Sequence, residues 1–173
     1  TVRLDEMDVY SMGGAKKRLT VGGSMGDLYA NILRTDEHGH IWLDSKSNTI
    51  QTEKNNYIYV GNTNPKYVLS WRNEFFWRGI SLGFMINARV GGRGASATQA
   101  VLDYYGVSET SAKARDNGGV LVNGYKYDAQ SWYQTVGGNG VDFVGSCYIY
   151  DMTNVRLGEL SIGYDIPINK WCK

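Results

Sequence analysis

The stretch YVLSWRNEFFWRGISLGFMINARV, residues 67–90, governs how the rest of the chain is read. Taken at alternate positions, its first half puts Leu69, Trp71, Asn73, Phe75 and Trp77 on one face. Val68, Ser70, Arg72, Glu74 and Phe76 fall on the other. After Arg78-Gly79, one face continues as Ile80, Leu82, Phe84, Ile86, Ala88 and Val90, and its opposite as Ser81, Gly83, Met85, Asn87 and Arg89. A two-residue period marks a half-buried strand, and two such runs across a two-residue joint predict a β-hairpin. Each run is about ten residues long, the length at which a tilted strand crosses a bilayer. The fold turns on whether the greasy face meets protein or lipid.

A second alternating stretch closes the sequence. Beyond Arg156, Leu160, Ile162, Tyr164 and Ile166 share one face, while Leu157, Glu159, Ser161, Gly163 and Asp165 share the other, so a strand is expected over 152–166. Between the two stretches, Gly91 to Tyr148 loses strand regularity. Short helices are expected there at Ala97 to Tyr105 and Ser108 to Asn117, with Ser108 as N-cap and Gly118-Gly119 as stop. Loops beyond about 12–15 residues are uncommon in compact domains and are usually functional. One tight joint and one very long one is the asymmetry of outer-membrane barrels, which pair short periplasmic turns with long extracellular loops. Upstream, Tyr29 to Arg34 is expected to pair with Ile41 to Asp44 as a hairpin around Glu37-His38-Gly39.

A β-sandwich would need further strands of comparable length and apolarity, and only 68–77, 80–90 and 152–166 carry the pattern. Aromatics stand at strand ends, Tyr67 and Trp77 on one and Tyr164 with Trp171 near another, as in the girdles at membrane interfaces. The expected fold is all-β: an antiparallel transmembrane β-barrel segment, an incomplete barrel, with a long extracellular loop carrying short helices. Its parts are a polar loop and hairpin region over 1–56, expected to be extracellular, a barrel hairpin over 57–90, the extracellular loop over 91–150, and a strand with its periplasmic turn over 151–173.

Composition narrows function by exclusion. The chain has 173 residues, a net charge of +1 and a pI near 7.6, so nothing electrostatic favours nucleic acid. Its 22 glycines, 2 prolines, 13 tyrosines and 5 tryptophans are a turn-rich β composition. No apolar run reaches the roughly 18 residues of a membrane helix, and mean hydropathy is -0.37; a barrel hides its apolar surface in alternation. The opening TVRLDEMDVY has neither an initiator Met nor a signal-peptide pattern and reads as an interior piece.

Individual polar residues take modest readings. Lys16-Lys17-Arg18 is read as a solvated loop or strand edge rather than a phosphate or lipid contact. Asp36, Glu37, His38 and His40 are read as a polar turn rather than a metal site. Gly91 to Gly94, GGRG, lacks the Lys-Ser/Thr of a phosphate loop. Asp103 and Glu109 are read as helix-surface charge rather than glycosidase carboxylates. No catalytic residue, metal or cofactor is assigned, and an enzyme is not expected. Aromatic faces stack on sugars and anchor interfaces, so Tyr104, Tyr105, Trp132 and Tyr133 are the candidates for cargo or partner contact. If Met152 to Tyr164 crosses a membrane it spans about 40 Å, so Cys147 and Cys172 lie at opposite ends and stay unbonded.

At YVGNTNPKYVLSWRNEFFWRGISLGFMINARVGG, residues 59–92, and YIYDMTNVRLGELSIGYDIP, residues 148–167, the sequence resembles the C-terminal barrel region of SusC/RagA-like TonB-dependent outer-membrane transporters. The carrying motifs are Tyr59-Val60-Gly61-Asn62-Thr63-Asn64-Pro65, the hairpin ending in Gly91-Gly92, and the later run from Arg156 to Pro167. GGSMGDLYA (22–30) and RTDEHGHIWLD (34–44) precede them in the family's order. The resemblance implies a Gram-negative outer-membrane location and energised import of a bulky nutrient, glycan or oligopeptide. It also implies a SusD-like lipoprotein lid, and TonB acting through a region outside this sequence. On that reading Arg72, Glu74, Asn87, Arg89 and Glu159 face the barrel lumen. The family's plug, TonB box and final strands are not in this sequence, so it is expected to be a piece of a longer polypeptide. The alternatives are a soluble extracellular β-sandwich that binds glycans, and a structural piece whose parent has lost transport.

Overall fold

The computed structural model describes residues 5–44, 46–47 and 49–166, so the readings at Pro167, Trp171 and Cys172 lie outside the described residues. In chain order the strands are β1 (Glu6–Met12), β2 (Ala15–Thr20), β3 (Asp27–Leu33), β4 (Thr52–Asn62), β5 (Tyr67–Trp77), β6 (Ile80–Val90), β7 (Arg93–Ala95), β8 (Val120–Val122), β9 (Tyr125–Tyr127), β10 (Ile149–Asp151) and β11 (Asn154–Tyr164). Three α-helices, α1 (Ala97–Tyr104), α2 (Glu109–Asp116) and α3 (Ala129–Gly137), fall between β7 and β10. The molecule is mostly β, and the described strands close no barrel. They form two compact units, one of Thr1–Thr63 with Arg93–Asp151, the other of Asn64–Gly92 with Met152–Lys173.

The first unit is a sheet in the order β1-β2-β3-β4, antiparallel throughout, with helices. Its core joins Leu33 and Ile50 to Ala100, Val136, Phe143, Val144 and Tyr148, with Met12, Leu43 and Trp132 packed around them. Phe143 and Tyr148 meet edge to face at 5.6 Å. The backbones of Gly14 and Gly145 cross so closely that a Cβ on Gly14 would lie 2.3 Å from the Phe143 carbonyl. Buried Asn31 pins this crossing: its Oδ1 accepts from the Gly145 N–H at 2.6 Å, and its own N–H donates to the Gly14 carbonyl at 2.8 Å.

The sequence expectations need three corrections in this unit. The main partner of β3 is β4, not 41–44: Asp27–Leu33 pairs with 52–62, and only a short stem survives, with a Thr35–Ile41 bridge and Trp42 donating to the Arg34 carbonyl. The cause is Asp36, whose Oδ1 accepts from the N–H groups of His38 and His40 and curls the chain into a tight turn. The basic cluster is no loop: Lys16 is buried in β2, pairs with Asp8 at 2.7 Å and sits 3.6 Å above the Tyr57 ring, while Arg18 bridges Glu6 and Asp8. Finally, a second sheet exists. The strand β4 is as long as β5, but its TEKNNYIYVGN sequence lacks a clean apolar face.

The second unit is the sheet β11-β6-β5. In its register Trp71 faces Ile86, Asn73 faces Phe84, Phe75 faces Leu82 and Trp77 faces Ile80, so the hairpin of residues 67–90 forms with its two faces intact. Trp71 stacks edge-on against Phe84 at 5.5 Å. Asn73 is the polar exception on the greasy side, and its buried Nδ2 finds no hydrogen-bond partner among the described residues. In β11 the register slips between Leu157 and Glu159, leaving Gly158 as a bulge. Leu157 therefore sits opposite Ile86 with the apolar residues, a correction to its place beside Glu159 in strict alternation. Trp71, Phe75, Leu157, Leu160 and Ile162 are all more than half exposed.

Candidate functional site

Three of the four aromatic candidates come together in the first unit. The turn from α1 to α2 is tied by Gly106 and Val107, whose N–H groups donate back to the carbonyls of Asp103 and Leu102. Ser108 caps α2 by accepting from the Ser111 N–H at 3.0 Å. Asp128 caps α3 through Ser131, whose backbone N–H and hydroxyl hold its carboxyl below the usual carboxylate range. These helices enclose a cavity of about 320 Å³, lined among others by Asp103, Tyr104, Tyr105, Arg115, Gln130 and Tyr133. That volume lies at the small end of ligand pockets. Trp132, the fourth candidate, packs on the core instead. Ala129, Trp132, Tyr133 and Val136 stand at helical spacing, and α3 turns Tyr133 toward the cavity and Val136 inward.

Asp103 is the residue sequence reasoning missed. It was expected on a helix surface, yet it is 5% exposed. Its Oδ1 accepts from Gln99 Nε2 at 2.9 Å and from Thr110 Oγ1 at 3.0 Å. Asp103 follows Ala100 by three residues and so lies on the inward face of α1, which is the signal that was available. Glu109 behaves as expected, exposed and paired with Lys113 at 2.6 Å. Burial, then the Asp103 charge, pushes the Tyr133 hydroxyl up. The Tyr148 hydroxyl is pushed up more strongly for the same two reasons, and though near this carboxylate it makes no hydrogen bond of good geometry.

The five residues expected in the lumen share the polar face of the second unit. Arg89 stands opposite Val68, Asn87 opposite Ser70, and Glu74 opposite Gly83. Arg72 and Glu159 flank Met85 from either side. Arg72 donates to Glu74 at 2.6 Å and lies 3.9 Å from Glu159; Ser70 donates to Asn87 at 2.7 Å. The histidine turn spends its carboxylate locally. Asp36 already receives two backbone N–H groups, which hold its pKa down, and His40 Nδ1 is 3.4 Å from it. No group of three metal-ligating side chains occurs among the described residues. No family model matches the chain, and no curated protein matches it either.

Proposed function

We propose that the chain is a stretch of β-barrel wall from an outer-membrane protein of a Gram-negative bacterium, its greasy sheet face turned to lipid. Within that class the motifs of residues 59–92 and 148–167 favour a SusC/RagA-like TonB-dependent transporter. Such a protein imports a bulky nutrient, glycan or oligopeptide, under a SusD-like lid, and is energised by TonB through a region outside this sequence. The observation that carries the reading is the sheet β11-β6-β5: strands of 11 residues, one face apolar in all three but for Asn73, and that face largely exposed on β5 and β11. Strands of that length match a bilayer crossing. The polar face, with Arg72, Glu74 and Glu159 in one ion-paired group, suits a wet lumen. Cargo and lid would meet the chain outside the membrane, at the loop between β6 and β11 that holds Tyr104, Tyr105 and Tyr133.

Leu82→Arg or Phe84→Arg in the complete barrel is the test. A charge at the membrane midplane costs about 2–4 kcal/mol, so assembly into detergent-resistant barrels should drop sharply. Unchanged assembly would overturn the lipid-facing assignment. The β1–β4 sheet with its own core keeps one rival in play, a soluble extracellular β-sandwich that binds glycans. A chain that is monomeric and folded in buffer without detergent favours that rival.

A further inference from the structure

The Asp103 carboxylate is a charge without a counter-charge. It is almost wholly buried, the two hydrogen bonds on its Oδ1 come from neutral donors, and the other polar group near it, the Tyr148 hydroxyl, is neutral as well. None of the ion pairs among the described residues involves it. Burying a carboxylate is costly unless a positive partner arrives with it. The tie to Thr110 explains how α1 is fastened to α2, and it leaves the charge unbalanced. The wall of the cavity that Asp103 lines carries three aromatic rings, Tyr104 and Tyr105, edge to face at 5.1 Å, and Tyr133, beside the polar Ser111, Arg115, Gln130 and Gln134. Ring faces are the negative side of the aromatic quadrupole and attract cations.

We infer that this cavity binds an organic ammonium group, with Asp103 as its counter-ion and the tyrosine rings as its walls. A metal ion fits poorly, because hard cations take six or more oxygen ligands and no cluster of three acidic or metal-ligating side chains is present among the described residues. A neutral sugar would satisfy the Gln130 and Gln134 amides and leave the carboxylate as it stands. Arg115 lines the same cavity, with its Nη1 donating to the Gly106 carbonyl at 2.7 Å, and among the described residues it forms no ion pair with Asp103. It suits a ligand that carries a carbonyl or carboxylate beside its ammonium, as a peptide amino terminus does. The inference does not rest on the transporter reading, because every lining residue belongs to the first unit.

The test titrates the full chain in detergent micelles, following tyrosine ring signals by NMR, with alanyl-alanine amide, its N-acetylated form and n-butylammonium chloride. Saturable shifts with the free dipeptide amide, at least about tenfold weaker with the acetylated form, are expected from the loss of one desolvated charge pair. Binding of n-butylammonium with similar affinity identifies a free amine as sufficient; binding of the dipeptide alone identifies a peptide terminus. Asp103→Asn should weaken either by a similar factor. Because that variant also touches the α1–α2 joint, Tyr105→Ala, at a largely exposed wall residue, provides the second arm and should weaken binding several-fold with far-UV circular dichroism unchanged. Equal binding of the acetylated form, undiminished affinity in Asp103→Asn, or no saturable shift with any probe overturns the inference.

Discussion

The amide of Asn31 ties β3 to the segment after Phe143 by accepting from the buried Gly145 N–H. Asn31→Ala strands that buried donor, and a loss of about 1–3 kcal/mol is expected, measured as the shift of the urea midpoint at constant slope. Asp8 makes a second point at this scale. Hydrogen bonds from Arg18, then Lys16, hold its carboxyl below the usual carboxylate range. A depressed folded pKa adds stability above the ordinary carboxylate pKa, and that stability drains away as pH falls through the folded value. The β1–β2 ladder should thus loosen below about pH 4, visible as faster exchange of its amides, and Asp8→Asn should remove the acid-side dependence. Neither residue could be found from sequence. Asn31 is a lone amide between Ala30 and Ile32 whose partner Gly145 lies 114 residues further along the chain, and Asp8 meets Lys16 and Arg18 only once β1 pairs with β2.

Among the elements, legibility followed periodicity. The hairpin β5–β6 was legible because both faces alternate over 11 residues without a break. The second helix announced itself by Ser108, which accepts from the N–H three residues on, and Ser96 caps the first in the same way without having been read as a signal. The third helix was equally signalled by Asp128 and the Ala129-Trp132-Tyr133-Val136 spacing, and the surrounding glycines hid it. The strand β4 was illegible because its residues alternate too weakly for period to betray it. In β11 the bulge at Gly158 defeats simple alternation, yet a glycine inside a strand is itself the warning. Deleting Gly158 should therefore be tolerated: Leu157 stays opposite Ile86, Glu159 stays opposite Met85, and every side chain keeps its face. Deleting Ser161 instead moves Ile162 and Tyr164 onto the polar face. Folded yield in detergent should separate the two, near the parent level for the first and severely reduced for the second.

At the scale of the whole molecule, the division into two units was hidden because the chain enters and leaves the β11-β6-β5 sheet more than once. Hydropathy patterns are local, whereas the core of the first unit gathers Leu33 and Ile50 with residues beyond Ala100, and no window spans that separation. The candidate site was half legible for the same reason: its tyrosines are conspicuous in sequence, while the burial of Asp103 depends on how α1 and α2 fold back on each other. In the second sheet β6 has a neighbour on each side, and β5 and β11 among the described residues have one apiece. Each outer strand thus offers a row of backbone donors and acceptors to whatever strand comes next. Hydrogen exchange of the chain alone should find β6 slowest, with every second amide of β5 and β11 fast. Uniform protection across all three strands would mean that the outer edges are already occupied. Such a sheet is a template with two growing ends. On the barrel reading proposed above, the wall would be complete only where a strand added beside β5 and one added beside β11 belong to a single closed ring.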